Sequence, residues 1–104
     1  MEITTTETVP GSDIEEVLGV ARGNTVKARN VGRDITQSLR NVTGGELKSY
    51  SSLMSEAREE ALDRMRQDAE ELGADAVVNV RFDSAEVVSK GAEIIAYGTA
   101  VSLD

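Results

Sequence analysis

Carboxylates are the only abundant ionisable side chains in these 104 residues: Asp and Glu number 19, Lys and Arg 11, and His and Cys are absent. Neighbouring carboxylates can chelate a hard cation such as Ca²⁺ or Mg²⁺, which takes oxygen ligands. On a helix, Glu56–Glu60 and Glu59–Asp63 share a face because each pair is four residues apart, whereas the adjacent pairs Glu15-Glu16, Glu59-Glu60 and Glu70-Glu71 diverge. A cation site on Glu56, Glu59, Glu60 and Asp63 is therefore the first chemical candidate. Arg58, Arg64 and Arg66 lie among these acids, and Glu60–Arg64 has the spacing of an ion pair, so a solvated helix face is the reading the sequence favours. No EF-hand loop of spaced Asp and Asn accompanies them.

The missing residue types exclude more than the present ones suggest. Without His or Cys there is no imidazole base, Ser-His-Asp triad, cysteine nucleophile, thiolate zinc site or disulfide. Ser and Thr are plentiful, but their bases would have to be Lys27, Lys48, Lys90 or a carboxylate, and neither a nucleophile elbow nor Ser-x-x-Lys occurs. The glycine-rich pieces Gly19-Val20-Ala21-Arg22-Gly23 and Thr43-Gly44-Gly45 match neither a Walker A loop nor a dinucleotide fingerprint. Gly44-Gly45 precedes a helix start, where an anion can sit; a plain helix–helix turn is the simpler account. No catalytic residue is assigned.

The net charge of −8 and the absence of a basic stripe argue against nucleic acid and against an anionic membrane surface. No segment approaches the roughly 18 apolar residues that span a bilayer. Met1 to Val9 is polar and Thr-rich, unlike a signal peptide, so a cytoplasmic protein is expected. The cations are 8 Arg and 3 Lys, and an acidic, Lys-poor surface suits a salt-loving host.

A single domain, 1–104, must build its core almost without aromatic residues, since only Tyr50, Phe82 and Tyr97 are present. Ile3 to Val9 predicts a first strand, stopped by a turn at Pro10-Gly11. Asp13 to Arg29 predicts a bent or bulged strand pair, with Gly23-Asn24 as the turn between its halves. Asn30 is placed to cap a short helix with Val31, Ile35, Leu39 and Val42 on one face. A long helix follows from about Glu46 to Leu72. Leu47, Tyr50, Met54, Ala57, Ala61, Met65, Ala69 and Leu72 form its stripe at steps of three or four, with Gly73 at the left-handed cap. From Asp75 to Val88 a half-buried strand is expected, with Ala76, Val78, Val80 and Phe82 pointing one way. After a turn at Ser89-Lys90-Gly91, a last strand runs from Ala92 to Leu103. Ile95, Tyr97, Thr99, Val101 and Leu103 make one face; Ile94, Ala96, Gly98, Ala100 and Ser102 make the other, and neither face looks wet. A strand covered on both sides in so small a chain implies that a second copy supplies one cover. The fold class is α+β: a small antiparallel-rich sheet with one short and one long helix packed on it.

Several of these residues carry a family resemblance. Gly19-Val20-Ala21-Arg22-Gly23, Arg33-Asp34, Gly44-Gly45, Tyr50 and Ala57-Arg58-Glu59-Glu60-Ala61 resemble the YbjQ-like family in their order and spacing. So do Leu72-Gly73-Ala74-Asp75-Ala76-Val77-Val78 and Gly98-Thr99-Ala100-Val101, so that the likeness runs from about Thr6 to Leu103. The family carries a heavy-metal-binding label and no established biochemical activity. What the resemblance implies is a small α+β subunit in a ring, a homopentamer. The metal label transfers poorly: Leu18 stands where some members carry Cys, and the only soft donors are the thioethers of Met1, Met54 and Met65. Glu46 also stands where a basic residue is expected after the glycine pair.

The expectation is a non-enzymatic, cytoplasmic assembly module for an unidentified small ligand or ion, in which copies bury the apolar face of the last strand and part of the helical stripe. Two alternatives stay open. One is carboxylate-based cation binding. The other is an enzyme with a subunit-interface site using Tyr50, Asp34 and Arg33.

Overall fold

The structure, a computed structural model, describes residues 1–28, 44–88 and 91–104. The elements are β1 (Glu2–Ile3), β2 (Ile14–Ala28), α1 (Gly44–Glu71), β3 (Ala76–Val88) and β4 (Gly91–Leu103). The strands form one sheet in the order β1-β3-β4-β2. β1 runs parallel to β3, and β4 pairs antiparallel with both β3 and β2. The sheet is thus mixed, with α1 on one face, and the class is α+β as expected. The short helix expected after Asn30 lies outside the described residues, and so do Ser89 and Lys90 of the expected turn.

α1 follows its sequence period closely. Ala57, Ala61, Met65 and Ala69 are buried, and Met54 and Leu62 pack at the margin of the same cluster. Among the described stripe residues Leu72 is the exception at 40% exposed, because the helix has ended before it. Gly73 takes φ 79°, the Gly73 N–H donates to Glu70 O at 3.0 Å, and the Ala74 N–H donates to Ala69 O at 3.1 Å. That pair of bonds is a Schellman cap, which satisfies carbonyls the helix leaves over.

β2 is one continuous strand, not the strand pair expected from Gly19 and Gly23. Register shifts at Ile14/Glu16 and Val17/Gly19 mark two bulges. Gly19 takes φ 139° at the second of them, and an added residue of this kind bends a strand without ending it. Gly23 has a different purpose. A Cβ built on it would lie 2.3 Å from Met65 N and 2.5 Å from Ala61 O. The helix backbone rests directly on this point of β2, and α1 packs mainly on β2 and less on β4.

β3 departs from simple alternation. Asn79 has φ 54°, and the register slips between Val78 and Arg81. The bulge returns Val80 to the helix side, where it joins Val77 in the main core, while Ala76 and Val78 face the other way with Val101. The expected grouping of Ala76, Val78, Val80 and Phe82 on one face is therefore broken at Asn79. Gly98 of β4 sits beside this bulge: a Cβ there would meet Val77 Cγ1 at 2.7 Å and Val78 O at 2.8 Å.

The first strand is shorter than expected. Beyond Ile3 the chain still bonds to β3, with Thr4 N–H donating to Val77 O, Val80 N–H to Thr4 O and Asn79 N–H to Thr6 O. Its regular geometry is lost because threonine hydroxyls bond locally, Thr6 Oγ1 donating to Thr8 O at 2.6 Å. The turn at Pro10-Gly11 forms as expected, with Gly11 at φ 87° and Ser12 N–H donating to Val9 O.

Gly23→Ala should destabilise the fold by about 3 kcal/mol, since helix backbone cannot yield as a side chain would. Gly11→Ala, with nothing within 4 Å of its new Cβ, should cost only about 1 kcal/mol of backbone strain. Urea titration of the two variants checks both.

Candidate functional site

The two faces of the sheet have different fates. The inner face, under α1, holds Ala21, Ile94, Ala96 and Ala100, all sealed. Among the described residues the outer face is covered at one end, where Val9 and Ile14 pack on Ala76, Val78 and Val101. Beyond that cover, Val17 and Val20 are each about two-thirds exposed, at 65% and 66%, and Val26 and Tyr97 are exposed as well.

Strand register arranges this outer face in cross-strand rows. Thr99 lies between Val20 and Val78, Tyr97 between Arg22 and Arg81, Ile95 between Asn24 and Asp83, and Glu93 between Val26 and Ala85. Directly opposed residues share a face, so each row is one line of side chains across the sheet. A tyrosine flanked by two arginines thus sits in the middle of an uncovered, partly apolar surface. Arg81 is held at the rim, its Nη1 donating to Thr5 O at 3.1 Å and Val80 O at 2.8 Å. Asn24 Nδ2 donates to Glu93 Oε2 at 2.9 Å, which ties two rows together.

The two edges of the sheet also differ. On the β2 side, α1 reaches over the edge: Arg22 N–H donates to Asp68 Oδ2 at 3.0 Å, and Arg64 Nη1 donates to Asn24 O at 2.6 Å and Thr25 Oγ1 at 3.2 Å. A helix that caps an edge in this way removes a template for unwanted strand pairing. On the other side, β1 pairs with β3 only at Ala76 and Val77, so β3 continues past it. Between that part of β3 and α1 runs a groove made of two cavities of about 250 and 300 Å³ that share Arg58 and Phe82. Met54 and Leu62 line its apolar side, and Phe82 is 45% exposed within it.

The residues named from sequence are not gathered into one site. Glu56, Glu59 and Asp63 lie on the exposed side of α1, and Glu60 is half-buried. Asp63 is occupied on its own helix, by Gln67 Nε2 at 3.0 Å and Arg66 Nη1 at 3.5 Å. Among the described residues no three acidic side chains converge as metal ligands. Arg33 and Asp34 lie outside the described residues, and so does the side chain of Tyr50. Met65 is buried in the core, Met1 is exposed, and Met54 stands eleven residues before Met65, about 16 Å along the helix. These thioethers cannot hold one soft ion within a subunit. The Arg22–Tyr97–Arg81 row was not found from sequence, because the register shifts at Val17/Gly19 and between Val78 and Arg81 set which residues line up.

The comparisons with known proteins come from the whole chain. The YbjQ family model, described as "Putative heavy-metal-binding", matches residues 1–104. A UPF0145 protein of Halobacterium salinarum is 71% identical over 103 residues, covering 99% of each chain. A UPF0145 protein of Natronomonas pharaonis is 68% identical over 103 residues, again covering 99% of each chain. One of Thermococcus kodakarensis is 58% identical over 102 residues, 98% of this chain and 90% of its own. A crystal structure of a protein of unknown function of the DUF74 family, from Pediococcus pentosaceus, superposes with a TM-score of 0.67 at 19% identity, over 100% of this chain and 98% of that one. That likeness shows the α+β fold. No helix among the described residues is long and apolar enough to cross a membrane. Matched along all 104 residues, the chain belongs to the YbjQ-like family.

Removing the helix clamp on β2 should loosen that edge. Arg64→Ala and Asp68→Ala should each cost about 1.5–3 kcal/mol, the net worth of hydrogen bonds to charged groups. Amide exchange should accelerate at Arg22 in Asp68→Ala, while amides at the β3–β4 pairing stay protected.

Proposed function

We propose that this member of the YbjQ-like family is a non-enzymatic, cytoplasmic, self-assembling module, whose copies form a ring of five and bind a small ligand or ion between them. The observation that carries the reading is the outer face of β4. The sheet is sealed on one side by α1, while on the other Tyr97 of β4 and Val17, Val20 and Val26 of the neighbouring β2 are exposed. Exposed apolar surface of this kind marks an interaction site.

The shape supports the same reading. The radius of gyration is 16.7 Å, and the body measures 52 × 23 × 15 Å. A compact chain of about 100 residues has a radius near 13 Å. A two-layer slab this long and thin gains a thicker core by stacking on its own copies. It also has a second apolar surface, the groove beside Phe82, on which the next subunit of a ring can close. The non-enzymatic part rests on chemistry, since the chain offers neither imidazole nor thiol. Ligands of an assembled protein would meet carboxylates and arginines, so a hard cation or a small polar molecule fits better than a soft metal.

Native mass spectrometry of protein purified without chelator or added metal tests the reading. The expected result is a multiple of the 11.1 kDa chain mass. Tyr97→Glu, which puts a charge in the middle of the outer face, should lower that multiple while leaving the circular dichroism spectrum unchanged. A wild-type monomer at micromolar concentration would overturn the proposal. Gly98→Leu is unsuitable as a companion probe: its new side chain would collide with Val77 and Val78 of its own chain, so it reports folding.

A further inference from the structure

The groove between α1 and the free part of β3 carries a charge that its surroundings leave unused. Arg58 and Phe82 line both of its cavities, one from the helix and the other from the strand. Arg58 Nη2 donates to Ser55 Oγ at 3.1 Å, and among the described residues its guanidinium meets no carboxylate. An arginine carries several N–H donors in a fixed fork, so most of this one is still available. Met54 and Ile94 add apolar lining to one cavity and Leu62 to the other. Their volumes, about 250 and 300 Å³, lie at the small end of ligand sites, which run from about 300 to 1,000 Å³. A molecule with a single ring is of the right size, and a nucleotide is not.

The surroundings also decide what kind of molecule fits. A free strand edge invites an extended peptide. Here the Ser84 N–H is already taken by Asp83 Oδ1 at 2.9 Å, so an added strand would have to break that bond beside an acidic side chain. A phosphate brings more than one negative charge to a chain of net charge −8, and Asp83 and Glu59 at the margins of the groove repel the excess. A carboxylate brings one charge and takes two parallel N–H bonds from a guanidinium. An apolar body attached to it gains the burial that the charge alone cannot supply. Phe82 and Met54 favour an aromatic body, because ring–ring and sulfur–ring contacts add to simple burial.

We propose that the groove beside Phe82 binds a small aromatic monocarboxylate, with its carboxylate on Arg58 and its ring on Phe82 and Met54. The inference rests on the small-ligand reading above and gives that ligand a chemical class and a place. In that reading the next subunit closes over the same groove, so the ligand is held between copies.

The test is isothermal titration calorimetry of the full-length chain with phenylacetate, beside its neutral amide phenylacetamide, phenethylamine and acetate. Phenylacetate should bind saturably, one per chain, and each of the other three about tenfold or more weakly, the scale of one hydrogen-bonded charge. Arg58→Gln should bring phenylacetate down to the level of phenylacetamide and leave phenylacetamide unchanged, whereas a merely structural Arg58 would lower the two alike. Phe82→Ala should weaken both. Both side chains are exposed, so circular dichroism should not change. Wild type that binds phenethylamine or phenylacetamide as tightly as phenylacetate overturns the carboxylate site, and so does an Arg58→Gln variant that keeps the wild-type preference. An assembled wild type that binds no phenylacetate at millimolar concentration overturns the site and leaves the assembly reading standing. A monomeric wild type that binds phenylacetate with the expected preference upholds the site and removes the assembly.

Discussion

A helix backbone laid directly on a glycine is the contact on which the rest of the molecule depends. Gly23 leaves room for the main chain of Ala61 and Met65, and alanines at 57, 61 and 69 keep the helix equally bare on its own side. Such an approach is possible only where both partners lack bulk. It draws α1 over β2, where Arg64 and Asp68 reach the strand's outer backbone groups. It also draws α1 away from β3, and the groove beside Phe82 is what that displacement leaves open.

This geometry makes the two sides of β4 unequal although the sequence shows them as equally apolar. On the inner side small residues let the helix close down completely. On the outer side the cover among the described residues is a short stretch around Val9 and Ile14, attached by threonine-rich chain that bonds to β3 without forming a full strand. The apolar surface that remains is too ordered in its charges to be a remnant of poor packing. Its arginines and Asp83 stand at fixed register positions, and register is the most strongly specified property of a sheet with one buried face.

The sequence revealed what depends on period and hid what depends on interruption. The long helix and its Gly73 cap were legible because eight apolar positions repeat at the helical spacing and a glycine follows. The last strand was legible through its two alternating sets. β2 was misread because Gly19 and Gly23 look alike in sequence, whereas one serves a bulge and the other a helix contact 38 to 42 residues away. The bulge at Asn79 is marked only by an asparagine, a residue tolerant of positive φ, inside an apolar run, and with it went the faces of β3 and the row centred on Tyr97. The candidate site was legible as a surface, from the double apolar character of β4, but not as a set of residues. The carboxylates Glu56, Glu59 and Asp63 are a solvated helix face in which Asp63 is already occupied.

The placement of β4 has a consequence for how the protein is made. It is the interior strand between β2 and β3, and among the described residues β2 has no other strand partner. Ala28 pairs with Gly91 and Ile14 with Leu103, so β2 emerges during synthesis some sixty to ninety residues before the strand that completes it. At the usual pace of about 5–20 residues per second, that is a wait of several seconds with valines exposed. Non-local pairing of this order also slows folding itself. The charges within the early segment, Glu15, Glu16 and Arg22, are well placed to keep it dispersed during the interval, before they have any neighbour in the finished fold.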